Sequence, residues 1–454
     1  MKRYRSMSWL VLGLLHGQAA ASGAAPAELE VATHTLTNGL KILVHEDRSI
    51  PNVALYLFYR VGSRNERPGT TGVSHFFEHM MFNGAKKYGP GQFDRVMEAA
   101  GGRNNAYTSQ DVTVYQDWFP APALALIFDL EADRIRDLSF DPKIVESERG
   151  VVASERRTSV DADNFGTLQE QLEAAAYTAH PYQWPVIGWM ADIENWKIED
   201  LRDHFAKGYS PSNATMVVSG AVTSREVIDL ARTTLEPIPA RPPPPPVTTI
   251  EPEQTGERRV TVKKFAQLPV LMLAYHVPEA AGPDYYTLEV LQNLLLSGQS
   301  SRLYQRLVDR DQIALFVSGG FGVTFDPTLF SITTQPKSGI STETIEKAIA
   351  EELARLVAEP VTDRELEKAR NLLLAAFYRE MKTINGKAHA LGRYEVFFGD
   401  YRRLFAAPEA YARVTAGDVQ RVAAKYFTEK NRTVATLVPE PAEVGERAKS
   451  EEKR

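Results

Sequence analysis

The chain has 454 residues, of which 43% are hydrophobic and none is cysteine, and its formal net charge is −6. This length exceeds one ordinary hydrophobic core, so we expect two or more domains. The acidic balance and the lack of any basic run argue against nucleic-acid binding, and the absence of cysteine excludes disulfides and thiolate metal sites.

Residues 1–25 have the pattern of a secretory signal peptide rather than of a frayed apolar tail. A basic start at Lys2, Arg3 and Arg5 leads into a short apolar run, and small residues follow up to Ala25. The apolar run is too short to span a bilayer, and no later segment resembles a transmembrane helix. We therefore expect a periplasmic or secreted protein without an integral membrane segment.

Strand patterns dominate the start of the mature chain. Residues 34–45 are predicted to form a hairpin that turns at Asn38 and Gly39, and residues 53–61 are predicted to form a strand. The segment 104–119 is rich in Thr, Val and aromatic residues, and we expect one long strand within it. Irregular alternation of such strands with helices is typical of α+β domains with largely antiparallel sheets.

His75, Glu78 and His79 form the most informative pattern of the sequence, His-x-x-Glu-His. On a helix, these three positions share one face. Two imidazoles one turn apart can bind one Zn²⁺, and the carboxylate between them can act as a general base. The alternative is a pair of partly buried structural histidines. Because such a spacing arises by chance on the order of once in a hundred sequences of this kind, we predict one zinc ion per chain.

A zinc site with two histidines needs a third protein ligand. Amphipathic helices are predicted over residues 121–137 and 142–161, and the second supplies Glu148 and Glu155, seven residues apart on one helical face. Glu146 lies off that face. One of the pair could bind the metal while the other supports it. Without the histidine motif, the same two residues would be interpreted as a solvated helix face.

A proline-rich stretch at residues 237–247 divides the chain into two halves, 26–236 and 248–440, and a charged tail at residues 441–454 follows. Such a stretch forms an extended, semi-rigid linker, and we expect it to act as a hinge for opening and closing. The halves have the pattern of a degenerate repeat, so we predict two tandem homologous α+β domains, each a mainly antiparallel sheet packed with helices.

The second half repeats the strand and helix that surround the histidine motif, at residues 269–277 and from Tyr286 onward. Aligning Gly84 with Gly298 places three other residues opposite the motif, namely Glu289, Gln292 and Asn293. The second copy is therefore predicted to keep the helix and to lack the metal ligands.

The segment His75-Phe-Phe-Glu-His-Met-Met-Phe-Asn-Gly84 resembles the inverted zinc motif of the pitrilysin/insulysin metallopeptidases, particularly the bacterial branch similar to the mitochondrial processing peptidase. Further resembling motifs occur in the same order along nearly the whole mature chain. They are Gly62–Glu66, Gly101–Thr108, Glu148–Glu155 and Ser301–Tyr304.

The resemblance implies a zinc-dependent endopeptidase that cleaves unfolded peptides in an enclosed chamber. By position, the resemblance assigns the zinc ligands as His75, His79 and Glu155. It assigns Glu78 as the general base and Glu148 as the carboxylate that supports the site. It also implies that Asn105 and Ala106 lie on an edge strand to which a substrate peptide adds as a further strand.

The chain departs from the resembling family at Val308 and Leu315. Family members carry at these positions an Arg and a Tyr that bind the substrate. Aliphatic side chains cannot donate a hydrogen bond, so a related subunit without the zinc motif is expected to supply the pair in a heterodimer. The alternatives are a shifted alignment or another residue of this chain that substitutes for the pair. The remaining alternatives are a non-catalytic assembly subunit of the same family and a metal-dependent hydrolase of another substrate class.

Overall fold

A computed structural model describes residues 28–440. The predicted signal peptide and charged tail lie outside these residues. Within the described range, no helix combines the length and apolar character that crossing a membrane requires.

The first half contains a six-stranded sheet in the order β1-β2-β6-β3-β5-β4. Its strands are β1 Ala32–Thr35, β2 Lys41–Glu46, β3 Asn52–Tyr59, β4 Arg103–Thr108, β5 Thr113–Pro120 and β6 Ala214–Gly220. Neighbouring strands are antiparallel except β2 and β6, which are parallel. The predicted hairpin over residues 34–45 is present as β1 and β2.

The segment 104–119 holds two strands, β4 and β5, rather than the one long strand expected. The chain reverses because the Ser109 hydroxyl accepts hydrogen bonds from the amides of Asp111 and Val112, at 3.2 and 3.1 Å. A serine can close a turn in this way without glycine or proline, so the usual sequence signals of a hairpin are missing.

The second half contains a five-stranded sheet in the order β7-β11-β8-β10-β9. Its strands are β7 Arg258–Phe265, β8 Val270–Val277, β9 Ala314–Gly320, β10 Thr328–Pro336 and β11 Arg432–Glu440. This sheet follows the same path as β2-β6-β3-β5-β4, and its one parallel pair, β7 with β11, corresponds to β2 with β6. The two sheets therefore confirm the predicted tandem α+β repeat.

Helices cover both sheets. They are α1 Val73–Met80, α2 Gln92–Ala99, α3 Leu124–Asp137, α4 Pro142–Arg156, α5 Asn164–Ala176, α6 Met190–Asn195, α7 Ile198–Gly208, α8 Ser224–Thr234, α9 Tyr285–Leu296, α10 Arg302–Tyr304, α11 Thr342–Ala358, α12 Asp363–Glu380, α13 Ile384–Phe398, α14 Arg403–Arg413 and α15 Ala416–Tyr426. The predicted helices at residues 121–137 and 142–161 correspond to α3 and to α4, which continues as a π-helical turn over Arg157–Asp161.

The two halves exchange one helix each. Helix α5 of the first half packs on β7, β8 and β11 of the second sheet, and α13 of the second half packs on β3 and β6 of the first. Gly392 permits the close approach of α13, since a Cβ there would lie 2.0 Å from the Phe58 ring. As a result, Phe58 and Val217 share one hydrophobic core with Leu271 and Leu391.

Polar contacts also connect the halves. The Lys387 ammonium lies 2.6 Å from the Asp47 carboxylate, and Arg64 lies 2.7 Å from Asp326. The linker begins on the first half, where the Asn38 amide donates to the Ile238 carbonyl at 2.9 Å. This common core and these ion pairs argue against the expected hinge at the linker, because opening there would expose the apolar faces of the exchanged helices and separate half-buried ion pairs.

Candidate active site

Helix α1, which carries the histidine motif, is fixed at its start. Gly72 begins the helix with φ of 86°, and a Cβ there would lie 2.2 Å from the Ile187 carbonyl oxygen. The buried Glu66 carboxylate accepts hydrogen bonds from the backbone amides of Gly72 and Ser74, both at 2.7 Å. A carboxylate at a helix N-terminus stabilises the helix through these amides and its dipole. Glu66 was part of a recognised motif, but its role as a cap was not predicted.

The side chains of His75, His79 and Glu155 converge in front of α1. Each offers one ligand atom, and the three atoms lie within 4.8 Å of one another. The Glu155 carboxylate is 3.8 Å from Nε2 of His75 and 3.4 Å from Nε2 of His79. Tetrahedral zinc with ligands at about 2.0–2.1 Å separates its ligand atoms by about 3.3 Å. The three groups thus match the donor types and the spacing of a zinc site that leaves a fourth position open.

Glu148 lies behind His79, on the side of the ring away from Glu155. Its carboxylate is 2.8 Å from Nδ1 of His79 and accepts a second hydrogen bond from the Asn83 amide at 2.8 Å. This arrangement fixes the orientation of the His79 ring and leaves Nε2 free to bind a metal. The two glutamates thus occupy different places: Glu155 lies near Nε2 of both histidines, whereas Glu148 contacts Nδ1 of His79. The contact of Glu148 with Asn83 was not predicted.

Electrostatics reinforce this arrangement. Burial and the neighbouring His79 lower the pKa of His75 to about 4, although Glu155 opposes the shift. Burial also disfavours charge on His79, but the hydrogen bonds to Glu148 and Glu155 prevail and raise its pKa to about 9. The pocket therefore combines one neutral imidazole with a second imidazole flanked by two carboxylates, a set of groups that attracts a cation.

Glu78 lies on the same helix and faces strand β4. Its carboxylate accepts a hydrogen bond from the Thr108 hydroxyl at 2.7 Å. Burial raises the pKa of Glu78, and the Thr108 hydrogen bond reduces the shift. A carboxylate whose pKa is raised in this way is a better proton acceptor once ionised. Thr108, on the strand that also carries Asn105, is a site residue that sequence analysis did not single out.

Strand β4 is at the edge of the first sheet, as predicted, and pairs only with β5 among the described residues. Asn105 is exposed and Ala106 is half-buried on this strand. Asn105 is three positions from Thr108, so the free edge runs directly past the general-base candidate. An unpaired edge of this kind can pair with an extended peptide.

Family models match most of the chain. The model described as insulinase, peptidase family M16, matches residues 41–188, and the model described as the peptidase M16 inactive domain matches residues 195–373. The chain belongs to peptidase family M16. The family predicted from the motifs is thereby confirmed.

Relatives extend this M16 assignment over nearly the whole chain. The zinc protease PqqE of Helicobacter pylori is 30% identical over 444 residues, covering 97% of this chain and 99% of that protein. A probable mitochondrial-processing peptidase subunit beta of Arabidopsis thaliana is 26% identical, covering 90% of this chain and 78% of that protein. These relatives therefore support zinc-dependent protease function at the level of the family.

Solved structures agree with the M16 fold. The crystal structure of a protease from Helicobacter pylori has a TM-score of 0.88 at 30% sequence identity, covering 90% of this chain and 100% of that one. A peptidase M16 inactive domain from Pseudomonas fluorescens has a TM-score of 0.83 at 18% identity, covering 92% of this chain and 100% of that one, and shares the fold.

The second M16 half uses its motif helix for packing. The Glu289 carboxylate accepts a hydrogen bond from the Tyr411 hydroxyl at 2.6 Å, and Gln292 accepts one from the Phe321 amide at 3.2 Å. The Asn293 side chain donates to the Glu289 carbonyl. Among the described residues, the group formed by His75, His79 and Glu155 is the one cluster of at least three potential metal ligands.

Val308 and Leu315, at the positions where the family carries an Arg and a Tyr, lie near the β9 edge of the second sheet. Val308 is half-buried in a π-helical turn after α10, and Leu315 is 47% exposed at the start of edge strand β9. The nearby Arg302 is engaged elsewhere, since its guanidinium donates to the Glu365 carboxylate at 2.8 and 3.1 Å. Arg302 is therefore not available as a substitute substrate ligand.

Proposed function

We propose that this chain is a zinc-dependent endopeptidase subunit that hydrolyses unfolded peptides. The observation that carries the proposal is the convergence of His75, His79 and Glu155 within 4.8 Å, with Glu78 on the same helix. These three residues would hold one Zn²⁺, and Glu148 would support the site through His79. Zinc, when bound, polarises the scissile carbonyl and makes water more acidic.

The proposed chemistry divides between Glu78 and its neighbours. The ionised Glu78 carboxylate takes a proton from the attacking water and later delivers it to the leaving amine. Thr108 orients this carboxylate through its hydroxyl, at 2.7 Å. Partial burial of Glu78 and Thr108 strengthens this hydrogen bond, because fewer water molecules compete for it.

The free edge of β4 is the proposed substrate-binding element. A peptide that pairs with Asn105 and Ala106 must be extended, so folded proteins would be excluded and unfolded segments selected. The backbone pairing is independent of side chains, which is consistent with an enzyme that accepts several sequences. Specificity must then come from pockets beside the strand.

We further propose that a homologous subunit completes the active site across an enclosed chamber. Two observations support this proposal: the aliphatic Val308 and Leu315, and a relative named as one subunit of a mitochondrial-processing peptidase. Full peptidase activity of the purified chain alone would refute it. Co-purification from the native host followed by mass spectrometry would identify the partner.

The peptidase proposal is tested by two variants. Glu78→Gln is expected to retain zinc and to lose cleavage of an unfolded peptide, whereas His79→Ala is expected to lose the metal. Zinc content is measured by atomic emission and cleavage with a quenched fluorescent peptide in the presence of the partner. Unchanged cleavage by Glu78→Gln would refute the proposed base. A chain that binds zinc and never cleaves, even with its partner, would favour a non-catalytic assembly subunit.

We also propose that the chain is exported to the periplasm or secreted. The basic, apolar and small-residue sequence of residues 1–25 supports this proposal. N-terminal sequencing of the protein isolated from the native host would show whether this segment has been removed.

A further inference from the structure

A cavity of about 610 Å³ opens beside the free edge of β4. Its walls include side chains from β4, from β5 and from the start of α13, namely Arg103, Asn105, Gln116, Trp118 and Asn385. Trp118 is 36% exposed there, which is unusual for the largest apolar side chain. Neither the zinc cluster nor the general-base candidate explains this cavity.

The cavity lies on the sheet face opposite the zinc cluster. Along β5, Tyr115 points to one face and donates its hydroxyl to the Phe77 carbonyl in α1, at 2.9 Å. Side chains alternate along a strand, so Gln116 and Trp118 point to the opposite face from Tyr115. They pair with Tyr56 and Ala54 of β3, which belong to the hydrophobic core that α13 completes. On β4, Asn105 and Arg103 pair with these two residues and share their face.

From this geometry, we propose that the cavity binds an aromatic side chain of the extended peptide substrate, with Trp118 as its stacking partner. This proposal rests on the proposed peptidase function and adds a substrate class to it. A peptide paired with β4 would send alternate side chains to the zinc face and to the Trp118 face. The backbone thus positions both sets of side chains at once.

The register gives the position of the recognised residue. Thr108 contacts Glu78 at 2.7 Å, and Asn105 and Arg103 lie three and five residues further along the same strand. At about 3.3 Å per residue, this separation is roughly 10–17 Å. The aromatic residue is therefore expected three to five positions from the scissile bond.

The lining selects an aromatic over a charged side chain. Asp117, on β5, is the one carboxylate among the residues that line the cavity, and both of its oxygens are buried, so the lining itself offers no exposed acid to a cationic residue. An acidic residue would gain one ion pair with the exposed Arg103, which contributes little in water. An aromatic ring can instead stack on the Trp118 indole while the Arg103 guanidinium lies against its face.

The test uses sets of three peptides that are identical except at one position, which holds Phe, Ala or Asp. Successive sets place this varied position one residue further along the peptide. Binding is measured by fluorescence anisotropy with zinc-loaded Glu78→Gln protein, and cleavage is measured with the unmodified chain and its partner. At one position, the Phe peptide is expected to bind about tenfold more tightly than the Ala peptide. Trp118→Ala should abolish this preference.

Two further variants control the test. Phe265→Ala removes another exposed aromatic, 63% exposed on β7, and should leave the preference intact. Asn385→Trp fills the cavity from its α13 side and should abolish the preference without altering Trp118, which keeps the test valid if Trp118→Ala folds poorly.

The outcomes separate the two proposals. A Phe preference that persists in both Trp118→Ala and Asn385→Trp, a preference for Asp, or no preference at any position would overturn the cavity assignment. Binding with the expected preference but no cleavage by the unmodified chain with its partner would overturn the peptidase proposal and leave the cavity assignment standing.

Discussion

Replacing Glu148 with glutamine tests the separate roles that the structure gives to the two glutamates of α4. In Glu148→Gln, an amide oxygen can still accept from Nδ1 of His79, but the negative charge is lost. The new amide nitrogen would also face the Asn83 amide, which donates to Glu148 at 2.8 Å, so two donors would oppose each other. We expect weaker zinc binding without loss of the site.

The magnitude follows from the contacts. Glu148 is largely buried, with 14% of its side chain exposed, and its bond to His79 is 2.8 Å long. A hydrogen bond to a charged group contributes about 1.5–3 kcal/mol. Loss of a group that orients a metal ligand typically weakens metal binding 10–100-fold, or about 1.4–2.7 kcal/mol. The two estimates agree, so we expect the zinc Kd to rise 10–100-fold.

The assay is a competition titration of metal-free protein against a chromophoric zinc chelator. Glu146→Gln is the matched control, because Glu146 lies on the same helix, is 76% exposed and, within residues 28–440, forms its one ion pair with Arg149. Its zinc Kd should equal that of the unmodified chain. Glu155→Gln removes a direct ligand and should weaken binding more than Glu148→Gln does. A Glu148→Gln protein with unchanged affinity, or with lower affinity than Glu155→Gln, would refute the role assignment.

The other predictions concern the general base and the second half. Thr108→Val removes the hydroxyl that holds Glu78, so kcat/KM should fall about tenfold at unchanged zinc affinity, measured with a fluorescent peptide; equal losses in both would indicate misfolding. The hydrogen bonds from Arg302 lower the pKa of Glu365 to about 2. Its ionised form therefore stabilises the fold above pH 4.5, and this contribution disappears as the pH falls towards 2. Glu365→Gln should cost about 1 kcal/mol at pH 7, after allowance for solvent screening, with a smaller difference at pH 3 in urea unfolding. No difference at pH 7 would contradict the pairing.

Local spacing explains what the sequence could predict. His75, Glu78 and His79 share a face because a helix has a fixed period, and Glu148 and Glu155 do so for the same reason. The sequence pattern predicts one strand where the structure has β4 and β5, because the turn between them depends on the Ser109 side chain rather than on glycine. A period can be counted along a sequence, whereas a side chain that closes a turn is visible only in three dimensions.

Contacts between distant segments account for the rest. Thr108 contacts Glu78 of α1 from strand β4, 30 positions along the chain, and Glu66 caps α1 from the preceding loop. Asn83 and Glu148 are separated by 65 positions. No periodicity connects such residues, so pattern analysis could name the ligands and could not name the groups that orient them.

The exchange of α5 and α13 has a consequence for biogenesis. The first sheet has one face that stays uncovered until α13, more than 160 positions after β6, has been synthesised. The first half therefore completes its core only after α13 has been translated, so we expect the chain to fold late in its synthesis rather than one half at a time. Under the proposed export, this late folding would also delay the proposed peptidase activity until most of the chain has been made.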